Sequence, residues 1–161
     1  DDSVLLRAGT GGICAFSFRR GFCVDPDAVE LFPELASRDW PPSLSDPAKW
    51  RVDPGAVYPG RFALRCTPHL LVMPELTGAP ESRLEPMDPA VMLGHLASQS
   101  ALFLTPDPGV ARKHIELLSR LVRQADCYRL KAGTDLLAEP AKIDGLLSRL
   151  ASRHMTDAPG G

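Results

Sequence analysis

Asp1 and Asp2 stand directly before Ser3-Val4-Leu5-Leu6-Arg7, a carboxylate pair at the edge of an apolar strand. Such a pair suits phosphoryl transfer, in which one carboxylate takes the proton of a hydroxyl nucleophile and another holds Mg²⁺. A serine hydroxyl is a poor nucleophile at neutral pH, and a positioned base contributes roughly 10²–10⁴-fold. The plain alternative is that two acidic residues at a terminus are simply solvated. Charge on a transferring phosphoryl group must also be neutralised, and arginine suits this because its planar fork donates two parallel hydrogen bonds. Arg20 near the second strand, Arg61 in Pro59-Gly60-Arg61-Phe62 and Arg83 before a strand candidate are available. Each also has a structural reading, and Arg83-x-Glu85 would serve equally as a cross-strand ion pair, worth little at a surface.

Other chemistries find less support. Ala8-Gly9-Thr10-Gly11-Gly12 could cradle an anion, but a P-loop needs Gly-x-x-x-x-Gly-Lys-[Ser/Thr], and no Gly-Lys pair occurs in the chain. The run reads as a hairpin turn. Cys14, Cys23, Cys66 and Cys127 are scattered without a Cys-x-x-Cys and read as reduced core thiols. His69, His95, His114 and His154 are too far apart in sequence to suggest a metal site, and no Gly-x-Ser-x-Gly elbow favours a serine hydrolase.

With 161 residues, 44% of them hydrophobic, the chain fits one α/β domain over 1–153 with a disordered tail at 154–161. A net charge of −2 without a basic run argues against nucleic acid or an anionic membrane as partner. No apolar run reaches the length of a membrane span, and the thiols point to a cytoplasmic setting.

Five Asp-Pro pairs, at Asp25, Asp46, Asp53, Asp88 and Asp107, punctuate the chain. Most read as helix starts, since Asp caps the first turn and Pro fits the first helical position. They place helices over about 26–35, 89–98 and 108–125, the last with Ala111, Ile115, Leu118 and Val122 as its apolar stripe and Leu117 and Leu121 widening it. A final helix is expected over about 140–153. Strand candidates are Val4–Arg7, Ile13–Phe18, Phe22–Val24, Phe62–Arg65, Leu70–Met73, Ser82–Glu85 and Cys127–Leu130. Leu70–Met73, ended by Pro74, reads as a strand covered on both faces. Residues 36–61 read as a long surface excursion whose Trp40 and Trp50 either pin it to the core or grip a partner. The pattern is that of an α/β fold, a mixed sheet with flanking helices.

The Asp pair, the Gly-rich turn and Ala15-Phe16-Ser17-Phe18-Arg19-Arg20 together resemble the second half of kinases related to HPr serine kinase/phosphorylase. The resemblance continues through Pro33-Glu34-Leu35, Tyr58-Pro59-Gly60-Arg61-Phe62, Ser82-Arg83-Leu84-Glu85-Pro86 and Cys127-Tyr128-Arg129-Leu130-x-x-Gly133-Thr134-Asp135, covering roughly residues 1–150. It is similar most of all to the HPr-kinase-related proteins found beside small PqqD-like peptide-binding proteins. It implies a partial P-loop kinase domain with a phosphoenolpyruvate-carboxykinase-like core, using ATP and Mg²⁺ to phosphorylate a serine on a small protein or peptide, a PqqD-like partner among the candidates. By the same resemblance Asp1 is the base and Asp2 the magnesium ligand, with the reverse order left open. Only the Asp pair carries the family's known chemistry; from the chemistry of the guanidinium alone, Arg83 is the candidate to join them at the catalytic centre and Arg20 and Arg61 are the candidates to contact the nucleotide.

The departure from the family pattern is the missing Walker A segment, without which the triphosphate has no cradle. The chain is therefore expected to be a C-terminal piece of a longer kinase, inactive and aggregation-prone alone. The competing expectation is a non-catalytic binding module that presents its Trp-containing segment to a peptide or partner subunit. Oligomeric state is left open by the sequence.

Overall fold

Apolar runs on either side of a Gly-rich turn pair as a hairpin. β1 (Val4–Gly9) and β2 (Gly12–Ser17) are antiparallel, with Gly9 facing Gly12 across Thr10-Gly11. The structure, a computed structural model, describes residues 4–17, 21–61, 63–100 and 106–156. It divides into two units, residues 1–68 and 69–161.

In the first unit β3 (Phe22–Val24) pairs antiparallel with β4 (Trp50–Val52), and β5 (Arg65–Cys66) adds to the free side of β2. The expected strand over 62–65 is thus shorter and later, and Phe62 lies outside the described residues. Residues 26–37 form two 3₁₀ turns, Pro26–Glu30 and Pro33–Ser37, where one α-helix was expected. Pro33 is the cause: it supplies no N–H and steers Phe32 out of the helical region, to φ −129° and ψ 76°.

The segment expected to be a surface excursion carries structure of its own, including β4 and a single helical turn, α1 (Pro54–Val57). Both tryptophans are half-buried. The Trp40 indole donates to the Leu35 carbonyl at 2.8 Å, and Trp50 pairs with Val24 in the ladder and bridges to Pro42. Pinning, not display, accounts for their contacts. Arg51 N–H donates to Pro41 O and Ser43 N–H to Lys49 O, so the Pro41–Ser43 stretch covers the second side of β4.

In the second unit β6 (Leu70–Leu76) lies parallel to β8 (Asp126–Ala132), and β7 (Arg83–Pro86) lies antiparallel on the other side of β8. β6 runs through Pro74 and is half-buried to exposed, which corrects the expectation of a strand ended at Met73 and covered on both faces. An edge strand accepts a proline because one of its sides has no ladder to feed. The buried strand is β8. Cys127 on one face and Leu130 on the other are both covered.

Three of the Asp-Pro pairs cap α-helices as expected. Asp53 accepts from Gly55 N–H, Asp88 from Ala90 N–H at the start of α2 (Pro89–Ser98), and Asp107 from Gly109 and Val110 N–H at the start of α3 (Pro108–Gln124). The other two do less: Asp46 accepts from Ala48 N–H in a turn, and Asp25 begins a 3₁₀ turn without a side-chain cap. Replacing Asp107 by Ala should lower the stability of the second unit by about 1 kcal/mol, the usual worth of such a cap. Chemical denaturation measures it, and an unchanged midpoint would show the cap to be idle.

The buried side of α3 is Leu118, Leu121 and Val122, while Ile115 is exposed. Leu118 and Val122 of the expected stripe, and Leu121 that widens it, are thus buried, and the departure is at Ile115, with His114 half-buried one position before it. Met87, Met92 and Val122 pack with Cys127, and Leu71, Met73, Leu93 and Leu96 surround them. The C-terminal helical region is split into α4 (Thr134–Ala138) and α5 (Lys142–Thr156), with Pro140 between them and Leu150 buried. Together these elements make a mixed α/β chain with three small sheets. Among the described residues, no helix is long and apolar enough to cross a membrane.

Candidate functional site

Strand register decides which side chains share a face. Glu75, Lys131 and Arg83 are one registered row across β6, β8 and β7, and the next row holds Met73, Arg129 and Glu85. The row beyond contains Leu71 and Cys127, which belong to the apolar core. One face of this sheet thus passes from apolar to charged within three rows. The charged end is also where β6 and β8 finish and β7 begins, and carboxyl ends of parallel strands are where open α/β sheets place ligands.

A cleft of about 420 Å³ opens there, lined by Glu75, Thr77, Glu81, Arg83 and Lys131 together with the Ala79-Pro80 backbone turn. Its charges are arranged as pairs. Arg83 Nε lies 2.9 Å from Glu85 Oε1, Lys131 Nζ 3.1 Å from Glu85 Oε2, and Arg129 Nη1 3.5 Å from Glu75 Oε2. Arg83 and Glu85 are two residues apart on the same strand, so the expected cross-strand pair is an along-strand pair instead. The hydrogen bond from Lys131 holds the Glu85 carboxyl below the usual carboxylate range, against the opposing pull of partial burial. Glu85 is therefore ionised at neutral pH and organises cations without donating protons. Arg83 is the exposed cation of the group, with 68% of its side chain accessible, so its outer N–H groups can meet an incoming anion.

The segment between β6 and β7 forms the wall of the cleft. Thr77 N–H and Thr77 Oγ1 both donate to Ala132 O, and Thr134 N–H donates to Ala79 O at 2.8 Å. Ser82 Oγ accepts the Gly133 N–H at 2.7 Å and donates to Asp135 Oδ1 at 2.5 Å. Its hydrogen bond keeps the Asp135 carboxyl below the usual range. Only glycine fits at position 133, because a Cβ there would lie 2.5 Å from Ala79 O and 2.8 Å from the Glu81 carbonyl carbon.

Arg61 sits in the first unit, on the turn Tyr58-Pro59-Gly60-Arg61 closed by Arg61 N–H to Tyr58 O at 3.2 Å. Pro59 followed by Gly60 at φ +76° makes this a type II turn, whose third position favours glycine. Arg61 is exposed and has no ion-pair partner among the described residues. The Tyr58 hydroxyl donates to Glu34 Oε1, which lowers the Glu34 carboxyl and raises the Tyr58 phenol. A depressed carboxyl adds stability above its unfolded pKa, and that contribution disappears as pH falls through the lower folded value. Tyr58→Phe should accordingly raise the Glu34 pKa toward the ordinary carboxylate range, the backbone hydrogen bond to the Glu34 carboxyl remaining. An NMR titration of the Glu34 carboxyl reads this, and an unmoved pKa would show that the hydroxyl is not its partner.

Of the other sequence candidates, Asp1, Asp2 and Arg20 lie outside the described residues. The cysteines are all thiols, but only Cys127 is a core residue by burial, and Cys66 is exposed. Burial pushes the Cys127 thiol up. No three His, Cys, Asp or Glu side chains come together as metal ligands among the described residues. Sequence reasoning missed Lys131 and the link from Ser82 to Asp135. The cue for Lys131 was its place in β8, two residues beyond Arg129 and hence on the same face.

No family model matches the chain, and no curated protein or solved structure matches it.

Proposed function

We propose that this chain is the C-terminal part of an ATP-dependent kinase that phosphorylates a serine hydroxyl on a small protein or peptide. The observation that carries the reading is that segments sharing the kinase resemblance are partners in space within their units. Ser82-Arg83-Leu84-Glu85-Pro86 meets Tyr128–Asp135 through β7–β8 pairing and the Ser82 hydrogen bonds, and Pro33-Glu34-Leu35 meets Tyr58 through Glu34. Residues some 50 apart in sequence, Ser82 and Asp135, therefore belong to one constellation.

On this reading the Asp1 carboxylate accepts the proton from the serine hydroxyl as the Ser Oγ–P bond forms, and ADP leaves with the electrons of the broken P–O bond. Asp2 supplies the hard oxygen donor that Mg²⁺ prefers. The metal, when bound, would supply positive charge against the phosphate oxygens. Arg83 offers a guanidinium at the cleft of the second unit, and Arg20 and Arg61 are the cations proposed for nucleotide contact in the first. A PqqD-like small protein is the acceptor or partner to test first.

The test is transfer of the γ-phosphate of ATP to serine by the gene product that contains this chain with its natural flanking sequence. Magnesium-dependent phosphoserine that disappears in Asp1→Asn supports the kinase. Peptide binding with no nucleotide affinity would replace it by a non-catalytic binding module.

A further inference from the structure

We propose that Ser82 and Asp135 are positioning residues, a latch that sets Arg83 at the rim of the cleft. Ser82 immediately precedes Arg83, and its hydroxyl uses both capacities at once: it accepts the Gly133 N–H at 2.7 Å and donates to Asp135 Oδ1 at 2.5 Å. Asp135 is itself fixed, since the same Oδ1 accepts the Leu136 N–H at 3.0 Å. The Ala79 carbonyl is held by Thr134 N–H, and the start of the loop by Thr77 on Ala132 O. The wall therefore has an anchor at each end. The Ser82 end adjoins Arg83, the more exposed of the two cations that line the cleft.

The anchoring is a property of position as well as of bonding. Gly133 has no Cβ to hold the Ala79–Glu81 backbone away, so the Ser82 hydroxyl reaches its amide directly. Arg83 then leaves the latch into β7, opposite Lys131, with Nε fixed on Glu85. A guanidinium paired through Nε with a carboxylate, on a strand whose entry is anchored, keeps its remaining N–H groups available to an anion at the cleft. Pre-organisation of this kind reduces what a ligand must spend on ordering the site.

The latch rests on the second unit alone, and its consequence for phosphoryl transfer rests on the kinase reading. Both are tested in the complete protein with Ser82→Ala, Ser82→Thr and Asp135→Asn. Loss of one hydrogen bond should speed amide exchange at Gly133 by about tenfold in Ser82→Ala while Leu130 in the same strand keeps its protection. Ser82→Thr, which retains the hydroxyl, should restore Gly133. The side-chain Nε–H resonance of Arg83 should shift in Ser82→Ala and Asp135→Asn and return in Ser82→Thr.

In the transfer assay Ser82→Ala should lower kcat about tenfold with the acceptor KM within a factor of about two, as expected when a group that meets the transferring phosphoryl is loosened. Unchanged Gly133 exchange in Ser82→Ala, an undisturbed Arg83 resonance, or equal losses in the Ala and Thr variants would overturn the latch. Absence of transfer in the wild-type protein would sink the kinase reading and leave the exchange and resonance results to decide the latch.

Discussion

Gly133→Ala is expected to destabilise the second unit by about 3 kcal/mol or more, which places it among the severe backbone-crowding substitutions. The added Cβ would lie 2.5 Å from Ala79 O, 2.8 Å from the Glu81 carbonyl carbon and 2.9 Å from Glu81 O. All three are backbone atoms, so no side chain can rotate aside. The backbone angles at Gly133, φ −92° and ψ −178°, are ones that any residue adopts, and the penalty is therefore contact and not conformational strain. Moving the loop away would break Thr134 N–H to Ala79 O and Gly133 N–H to Ser82 Oγ together. For a unit of this size the melting temperature should fall by roughly 10 °C or more. Gly94→Ala in α2 is the internal comparison, since nothing lies within 4 Å of its added methyl. That variant should be stabilised by about 0.5–1 kcal/mol through helix propensity. Similar melting temperatures for the two variants would mean that the loop does not press on Gly133.

The second large effect belongs to the proposed kinase activity. Asp1→Asn keeps the size of the side chain and its ability to accept a hydrogen bond, but the amide cannot take up the serine proton. Loss of a general base should reduce kcat by roughly 10²–10⁴-fold. Asp2→Asn removes an anionic oxygen donor from the proposed magnesium ligand, so its defect should be relieved in part by raised Mg²⁺, whereas that of Asp1→Asn should not. Reversed behaviour of the two variants would exchange their roles without removing the pair from the centre.

Much of the local structure was legible because its signals are strong and short in range. Thr10-Gly11 between two apolar runs, and Asp-Pro ahead of α2 and α3, each impose a turn or cap by the chemistry of one or two residues. The failures share a different origin. Pro33 divides a region whose Asp-Pro start argued for one helix, because an interior proline interrupts helical hydrogen bonding and Asp25 makes no side-chain cap to set against it. Pro74 does not stop β6, because the tolerance of a strand for proline depends on which neighbour it has, and that is decided far along the chain at β8. Ile115 fits an apolar period, yet the face that α3 buries is selected by α2 and β8.

The cleft was less legible than the elements that make it. Arg83 was recognised as a cation able to meet phosphate, but its partner in the sequence, Glu85, proved to be shared with Lys131 across the β7–β8 ladder. Register of this kind cannot be read from the residues of one strand. Ser82 and Asp135 lie 53 residues apart, and nothing in their spacing indicated that they touch. The carboxylate pair at Asp1 and Asp2 was the clearest chemical signal in the chain. It lies outside the described residues, and the kinase reading rests on its chemistry and on the paired segments.

The most direct measurement is the rate of magnesium-dependent phosphate transfer from ATP to a serine acceptor by the gene product carrying this chain, wild type beside Asp1→Asn. Transfer that falls at least a hundredfold in the variant, with folding and nucleotide affinity retained, is the expected result for a positioned base. Equal rates in the two proteins, or no nucleotide affinity in the wild type, would contradict the kinase.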